Sequence, residues 1–508
     1  MADPGDQNEA LKGRVEAATR LLAEIAGDRG ILAGVSKDAQ NELLKVAGQV
    51  SQPSPWDKRK LSRAARKRRR EEKKAADNAL LSGTGIRKKR AEHVFETPLF
   101  GRPPAEAGSD IDEVLEPARV IEPRTCYVCK RDFDELHHFY DALCPPCAEL
   151  NFRKRTQTAD LSGRVALVTG ARVKIGFQAA IMLLRAGAHV IVTTRFPRDA
   201  ARRYAAEVDF ADYSSRLEIH GLDLRHTPSV ELFTRHIAHS HSRLDFILNN
   251  ACQTVRKPIG FYSHLMDYER LPHAELPEGE QGLLSSYDAS LETSGDGGAL
   301  SVTGARGIVS SAELSQLALT GEDQGESTHL FPTGELDADL QQVDLRTRNS
   351  WRLALSEVTA IELLEVQLVN AVAPFIINAR LRPLMEQGDR ADKHIVNVSA
   401  MEGQFYRSYK TDKHPHTNMA KAALNMMTRT SAADYIKSGI HMNSVDTGWI
   451  TDEDPIEIAR RKTEEHGFHP PLDIVDGAAR IVDPIFSGIA TGEHVWGLFL
   501  KDYKPTDW

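Results

Sequence analysis

Short apolar runs alternate with helical patterns along the chain from Leu161 onward. Each run is rich in β-branched residues and is followed by a stretch with helical periodicity. This alternation is typical of βαβ units and predicts an α/β fold with a parallel sheet. The predicted strands are Val165 to Thr169, Val190 to Thr194, Leu217 to His220, Phe246 to Asn249, Ile395 to Ser399 and Met442 to Val445.

One interval breaks this alternation. Between Arg256 and about Arg346 the sequence is rich in Gly, Ser, Glu and Asp and has little periodicity. A structureless loop of that length is uncommon inside a compact domain. We therefore expect an insertion at about 256–346 that is either a lid or partly disordered.

The first hundred residues combine a helical pattern with a basic run. Apolar residues recur at spacings of three and four from Leu11 to Ile25, which predicts an amphipathic helix ending near Gly27. The net charge of the chain is -8, yet Trp56 to Arg90 holds fifteen Lys or Arg against four Asp or Glu. We interpret residues 1–100 as a helical, basic and partly disordered region. The basic run is either an arm for a polyanion or protein partner, or a solvated helix with i,i+4 charge pairs.

The composition is that of a soluble globular protein, with 41% apolar and 27% charged residues. No continuous apolar run approaches the roughly 18 residues of a membrane span, and the best, near Leu363 to Ile377, is interrupted by Glu365, Gln367 and Asn370. The N-terminus lacks the basic and apolar regions of a secretory signal. We expect a cytoplasmic protein without a membrane partner.

Four of the five cysteines form two CxxC pairs separated by fourteen residues. Two such pairs provide the tetrahedral thiolate shell that suits Zn²⁺, so the sequence predicts a structural zinc module at 120–155. His137 and His138 are not needed as ligands, and a redox dithiol is the alternative for either pair. The predicted zinc ligands are Cys126, Cys129, Cys144 and Cys147.

A glycine turn, Gly170 to Gly176, follows the first predicted strand and precedes a helix rich in Ala and Leu. A strand, a glycine turn and a helix N-terminus form a cradle for a pyrophosphate. Residues typical of a nucleotide site follow the later elements in order: Asp223, Asn249-Asn250-Ala251-Cys252, Ser399, Lys421 and Thr447-Gly448-Trp449-Ile450-Thr451.

This series resembles the short-chain dehydrogenase/reductase family from Leu161 to about Lys501, apart from the insertion. The resemblance implies a doubly wound Rossmann sheet over 161–508, a nicotinamide cofactor, a small-molecule substrate and a homo-oligomer. It also implies a catalytic set of Asn, Ser, Tyr and Lys. The residues that the resemblance assigns to the cofactor are Thr169, Gly170, Arg172, Lys174, Ile175, Gly176, Arg195, Asp223, Leu224, Asn250, Ala251, Lys421, Thr447, Gly448 and Ile450.

Two of these positions depart from the family pattern. The middle glycine of the turn is Lys174, and pteridine reductases of the family also have a basic residue there. The second strand ends at Arg195 without the acidic residue that binds a ribose 2′-hydroxyl. Arg195, helped by Arg172, is suited to a 2′-phosphate, so we favour NADP(H) over NAD(H). The alternative is that both arginines are merely exposed, and we expect Cys252 to be a buried small residue.

The catalytic set is incomplete. Asn370 and Lys421 match the family, but Thr417 stands where the tyrosine is expected and Ala400 where the serine is expected. A threonine hydroxyl is far too weak an acid to replace a phenol. The loop before Thr417 carries Tyr406, Tyr409, His414 and His416, of which Tyr409 or His416 could take the vacated place.

Three hypotheses follow. The favoured one is an NADP(H)-dependent oxidoreductase with an altered catalytic set, in which the insertion is a lid. The second is a catalytically silent NADP(H)-binding sensor or scaffold that uses the zinc module and the basic arm to contact a protein or nucleic-acid partner. The third is a nucleic-acid-associated protein in which the basic arm and the zinc module carry the function.

Overall fold

The computed structural model describes residues 4–99, 118–295, 310–319, 321–323, 329–388, 390–406 and 410–508. They fall into two compact units, Met1–Ala76 and Asp77–Trp508.

The strands are β1 (Arg119–Thr125), β2 (Asp132–Glu135), β3 (Val165–Thr169), β4 (His189–Thr194), β5 (Leu217–Gly221), β6 (Phe246–Asn249), β7 (Lys393–Ser399), β8 (Ile440–Asp446), β9 (Phe499–Lys501) and β10 (Lys504–Thr506). The α-helices are α1 (Pro4–Gly27), α2 (Lys37–Ser51), α3 (Pro55–Ser82), α4 (Gly85–Ala91), α5 (Pro145–Arg155), α6 (Lys174–Arg185), α7 (Pro197–Ala205), α8 (Phe210–Tyr213), α9 (Thr227–Ser240), α10 (Ser263–Glu269), α11 (Glu278–Gly295), α12 (Ser311–Ser315), α13 (Ala360–Gln367), α14 (Ala373–Glu386), α15 (Pro415–Tyr435), α16 (Ile456–His466) and α17 (Ile474–Thr491).

The larger unit is built on an eight-stranded sheet in the order β10-β9-β8-β7-β6-β3-β4-β5. All neighbouring strands pair in parallel except β9 and β10, which form an antiparallel pair at one edge. The six predicted strands are confirmed as β3 to β8. The strand order reverses between β3 and β6, which is the switch point where open α/β sheets bind ligands.

Helices cover both faces of this sheet, so the predicted doubly wound α/β fold is confirmed. Val190 and Val192 of β4 lie in one core cluster with residues of α6, α11 and α17, whereas Ile191 lies in another with residues of α9, α14 and α15. This alternation follows from the two-residue period of a strand, and it explains why the central strands are apolar on both faces.

The segment Ala360–Glu386 is, among the described helices, the one long and apolar enough to span a membrane, with a mean hydropathy of 1.7. It consists of α13, a π-helical turn at Leu368–Val372 and α14. Ala373, Ile377 and Leu381 of α14 are buried against the sheet. Its hydropathy is therefore accounted for by the core of the larger unit.

The cysteine-rich segment packs onto α17 within the larger unit. Residues of β1, β2 and α5 share a core cluster with Ile474 and Val475. The guanidinium of Arg155 donates to both oxygens of Asp473, at 2.6 and 2.9 Å, and the Tyr140 hydroxyl donates to Asp476 at 2.5 Å. Asp473 also caps the N-terminus of α17. These buried contacts bind the segment firmly to the Rossmann sheet.

The described part of the insertion is folded against the sheet. Leu283 and Leu284 of α11 lie in the core cluster that covers β4 and β5. A Cβ atom on Gly221 of β5 would lie only 2.3 Å from the Tyr287 hydroxyl, so α11 approaches the strand closely. The insertion thus packs on one face of β4 and β5, where it buries apolar residues of the sheet.

The smaller unit consists of α1, α2 and most of α3. The predicted first helix is confirmed, since α1 ends at Gly27. The basic run lies on α3, where Lys67 and Arg68 pair with Glu71 and Glu72, at 3.8 and 2.8 Å. These are the i,i+4 pairs of a solvated helix.

Candidate functional site

A cavity of about 1140 Å³ opens at the carboxyl ends of the parallel strands. Its walls come from the segments that follow β3 to β8, from residues 337–346 of the insertion, and from Tyr127 and Lys130 of the cysteine-rich segment. The predicted cofactor residues that line it are Gly170, Arg172, Lys174, Ile175, Gly176, Arg195, Asp223, Leu224, Asn250, Ala251, Lys421, Thr447, Gly448 and Ile450.

The turn after β3 leaves room for a phosphate. Gly170 adopts a φ of +67°, a left-handed conformation that favours glycine. A Cβ atom on Gly176 would lie 2.3 Å from Asn250 Nδ2 and 2.4 Å from the Gly170 carbonyl oxygen. No larger side chain fits there, and the free N–H groups at the start of α6 face the cavity edge. The turn therefore fits a nucleotide pyrophosphate.

Thr169 supports the glycine turn through hydrogen bonds to the loop after β6. Its hydroxyl accepts hydrogen bonds from the N–H groups of Asn250 and Ala251, at 3.0 and 3.1 Å. The Asn250 amide donates in return to the carbonyls of Thr169 and Gly170, at 3.0 and 3.1 Å. Thr169 thus positions the cradle without lining the cavity.

Lys174 occupies the position of the missing glycine with a φ of +58°. It begins α6, and its ammonium lies 3.7 Å from the Asp339 carboxylate of the insertion. The lysine is therefore at the predicted phosphate position, but it already has an anionic partner.

The two arginines have different surroundings. Arg172 donates to Asp199 at 2.6 Å, so its charge is compensated. Arg195 donates to the Tyr262 hydroxyl at 2.6 Å and lies over the Tyr262 ring. Within the described ranges, no carboxylate lies within ion-pair distance of Arg195. Arg195 therefore lines the cavity without an ion-pair partner among the described residues.

The side chains after β5 and β6 line the cavity as well. Arg225 holds the Asp223 carboxylate through its guanidinium, with contacts of 2.6 to 3.1 Å. The expectation that Cys252 is buried is wrong, because the loop after β6 turns this thiol into the open cavity, where it is exposed.

A residue that the sequence did not single out reaches the cavity from the cysteine-rich segment. The Trp449 N–H, in the predicted cofactor loop after β8, donates to the Tyr127 hydroxyl at 3.0 Å. Lys501 lies over the Tyr127 ring, 5.3 Å from its centroid. Tyr127 stands inside the first CxxC pair, so this segment forms part of the cavity wall.

Lys421 faces the cavity from α15, and its ammonium donates to the Val398 carbonyl at 2.7 Å. Thr417, one turn earlier, is buried away from the cavity, and its hydroxyl lacks a hydrogen-bond partner among the described residues. Ala400, which stands where the family serine is expected, lines the cavity beside Ser399, whose buried hydroxyl is also unpartnered in the described part of the chain.

Asn370 lies in the π-helical turn and is fully buried. Its side-chain oxygen accepts from the Gln253 N–H at 2.8 Å, and its amide donates to the Gln253 carbonyl at 3.1 Å. Asn370 therefore holds the loop after β6 and lies behind the cavity wall.

The two residues predicted to replace the missing acid, Tyr409 and His416, are not found in the cavity wall among the described residues. Tyr409 lies outside the described residues. His416 is buried beneath the wall, with its Nε2 atom 3.7 Å from Glu362, and does not line the cavity. His414 does line it. It immediately precedes α15, the helix that carries Lys421, and both residues line the cavity.

His414 is held in a defined orientation. It adopts a φ of +43°, and its ring stacks on Trp351 with centroids 3.9 Å apart. Its Nδ1 atom is buried and makes no hydrogen bond to any described residue. Burial lowers the pKa of His414, so the imidazole is neutral at pH 7.

The four predicted cysteine ligands converge. Their sulfur atoms lie within 4.8 Å of one another, and the sulfurs of Cys129 and Cys144 are 3.6 Å apart. Sulfurs around a tetrahedral Zn²⁺ ion with bonds of about 2.3 Å lie about 3.8 Å apart. The cluster therefore has the dimensions of a zinc site.

Comparison with known proteins agrees with the fold. A family model described as short chain dehydrogenase matches residues 164–271, and one described as enoyl-(acyl carrier protein) reductase matches residues 346–467. The interval between them falls within the predicted insertion.

Relatives extend this comparison. An uncharacterized protein of Acanthamoeba polyphaga mimivirus is 30% identical over 379 residues, covering 72% of this chain and 71% of that protein. Dehydrogenase/reductase SDR family member 13 of Bos taurus is 36% identical over 120 residues, or 22% of this chain and 29% of the relative. The solved Pseudomonas aeruginosa RhlG/NADP active-site complex is 16% identical, with a TM-score of 0.42 over 67% of this chain and 95% of the other. With the two family matches and the parallel sheet, the chain belongs to the short-chain dehydrogenase/reductase family.

Proposed function

We propose that this protein is an NADP(H)-dependent oxidoreductase with an altered catalytic set. The observation that carries the proposal is Arg195, whose guanidinium has no ion-pair partner among the described residues and lies on the wall of the cavity that contains the glycine turn. A guanidinium without a carboxylate partner favours a phosphate, which it binds through charge-assisted hydrogen bonds.

The residues present fit such a cofactor. The turn from Gly170 to Gly176 and the start of α6 would hold the pyrophosphate, and Arg195 with Tyr262 would hold the 2′-phosphate. Lys421 and the loop after β8 would hold the nicotinamide ribose and ring. When bound, the nicotinamide supplies or accepts a hydride.

The proton that accompanies this hydride needs a group other than threonine. We propose His414, because it lines the same cavity as Lys421 and its ring is held by stacking on Trp351. A neutral imidazole accepts a proton from an alcohol, and its protonated form returns one to a carbonyl. The polar surroundings of Tyr127 make it the competing candidate.

A second candidate function is a nucleotide-binding sensor without turnover. It is favoured by the loss of both the tyrosine and the serine, and by the bond from Lys421 to the Val398 carbonyl, which occupies part of its ammonium. In this case the cradle and Arg195 still bind the nucleotide.

For the cysteine cluster we propose a structural Zn²⁺ ion. Four thiolates leave no open position for a substrate or for water. The ion would hold Tyr127 against the loop after β8.

The test has two stages. Calorimetric titration of the full chain with NADPH and with NADH should show tighter binding of NADPH. Turnover is then followed by nicotinamide absorbance, with carbonyl, enone and imine substrates and, in reverse, alcohols. Binding without turnover would favour the sensor, and equal affinities for the two nucleotides would contradict the assignment of Arg195.

A further inference from the structure

A second cluster of ligand-type side chains lies at the opposite end of the sheet from the cavity. His189 is the first residue of β4, Glu218 is the second of β5, and His241 directly follows α9. In the parallel pair, Ile191 lies beside Glu218. His189 therefore shares a sheet face with Glu218 because side chains alternate along a strand, and this is the face that α9 covers.

The three side chains point to a common centre. The Nε2 atom of His189 lies 3.5 Å from Glu218 Oε2, and the Nε2 atom of His241 lies 3.3 Å from the same oxygen. All three ligand atoms lie within 4.8 Å of one another. Ligands at about 2.0 Å from a tetrahedral ion are about 3.3 Å apart, so the two nitrogen–oxygen distances match a shared metal ion.

The Nε2 atoms of His189 and His241 are both buried and make no hydrogen bond within the described residues. Hydrogen bonds from protonated imidazoles to the carboxylate would be shorter, about 2.7–2.9 Å. Buried polar atoms are rarely left unsatisfied, and two lone pairs beside one carboxylate oxygen suit a cation.

The Glu218 carboxylate is also oriented to bind a cation. His220 Nε2 lies 2.6 Å from Glu218 Oε1, which leaves Oε2 directed at the other two histidines. Outer hydrogen bonds of this kind fix ligating carboxylates and histidines in metal sites. His220 is itself fixed by edge contacts with Phe233 and Tyr287.

A further histidine group does not show these features. His394, His441 and His494 also lie close together, but His394 Nε2 and His494 Nδ1 are hydrogen-bonded at 2.9 Å. That pair is satisfied without a cation.

We propose that His189, Glu218 and His241 bind a divalent first-row transition-metal ion such as Zn²⁺. Two imidazoles and one carboxylate suit such ions, and the soft thiolate cluster is not involved. The side chain of His189 is 33% exposed, so solvent reaches the site and water completes the shell. The ion would link edge strand β5 to β4 and to the end of α9.

The site is tested on the full chain, loaded with Zn²⁺ and freed of excess metal. His241→Asn and Glu218→Gln should each hold one Zn²⁺ per chain fewer than the unmodified protein. His239→Asn, which changes an exposed histidine two residues away, should lose none. Equal metal content in all four proteins would overturn the proposal.

A spectroscopic measurement on the unmodified chain covers the case in which a variant fails to fold. The protein is first given one equivalent of Zn²⁺, which the thiolates take, and Co²⁺ is then added. A stoichiometric Co²⁺ spectrum typical of nitrogen and oxygen ligands, without thiolate charge-transfer bands, is expected. Absence of such a bound species would overturn the proposal.

Discussion

Arg195 is the residue on which the choice of cofactor depends. In Arg195→Gln the charge that faces the 2′-phosphate is lost, while the contact surface is nearly kept. Hydrogen bonds to charged groups contribute about 1.5–3 kcal/mol, so NADPH affinity should fall about 10- to 150-fold, with NADH affinity little changed. Calorimetry measures both affinities.

Arg380→Gln is the matched control, since this exposed arginine pairs with Glu231 away from the cavity. It should leave both affinities unchanged. A preference for NADPH that survives in Arg195→Gln would assign 2′-phosphate recognition to another residue.

The proposed role of His414 predicts a particular pH dependence of the reaction. The pKa of His414 is lowered from 6.5 by burial, so the base form prevails at neutral pH. Alcohol oxidation should rise as the pH is raised through this pKa and then level off, whereas carbonyl reduction should rise as the pH falls. Initial rates from pH 4.5 to 8 measure this profile, with stability checked at each pH.

In His414→Asn, turnover should fall about 10²- to 10⁴-fold, the usual contribution of a general acid or base, and the pH profile should flatten. Nucleotide binding should persist. If Tyr127→Phe abolishes turnover instead and His414→Asn does not, the phenol is the proton donor.

At the scale of elements, strands were easier to predict than the positions of catalytic side chains. The runs that became β3 to β8 are apolar on both faces, so each is recognisable from its own residues. β9 and β10 have three residues each and were missed, because so short a segment has no period to detect.

The parts of the site that a single loop supplies were predictable from the sequence. The glycine turn and the loop after β8 are local patterns, and both line the cavity. Tyr127 reaches the cavity, and Asp339 reaches Lys174 in its wall, by tertiary contact from segments remote in sequence, and no local pattern indicates this. The position of His416 beneath the wall depends on the rotation of α15, which the sequence does not specify to one residue.

The cysteine-rich segment shares a core with α17, so we expect its metal to stabilise the whole larger unit. In Cys147→Ser the zinc shell loses a ligand, and contacts such as Arg155 to Asp473 lose their support. Tm should fall by on the order of 5 °C or more, and nucleotide affinity should weaken through Tyr127 and Trp449. Calorimetric melting and titration measure the two effects.

Cys252→Ser is the control, because this cysteine lies outside the cluster. It should retain the Tm and the metal content. A Rossmann core that melts at an unchanged temperature in Cys147→Ser would show that the segment folds independently.

At the scale of the whole molecule, the boundary of the larger unit has a direct test. Leu81 and Ile86 lie in the core of the cysteine-rich segment, and Asp77 accepts hydrogen bonds from the N–H groups of Ile121 and Glu122, at 2.6 and 3.1 Å. A chain that begins at Asp77 should keep its Tm and its nucleotide affinity. One that begins at residue 101 should lose on the order of 5 °C, because large buried side chains are removed.

The chain that begins at Asp77 also tests the role of the basic run on α3, because this run is removed from it. The chain from Asp77 should lose any salt-sensitive binding to polyanions, since phosphate contacts by exposed lysines and arginines carry no sequence information. Sequence-specific binding that survives this truncation would favour the nucleic-acid hypothesis.

The ion pair between Lys174 and Asp339 would make the insertion compete with the proposed cofactor for the lysine. A pyrophosphate that binds at the glycine turn has to displace the Asp339 carboxylate from Lys174. This cost offsets part of the attraction between the pyrophosphate and the lysine. An ion pair with partial exposure is worth about 0.5–1 kcal/mol, so Asp339→Asn should tighten nucleotide binding about two- to fivefold. Calorimetry with NADPH measures the gain, and weaker binding would mean that Asp339 orders the cradle.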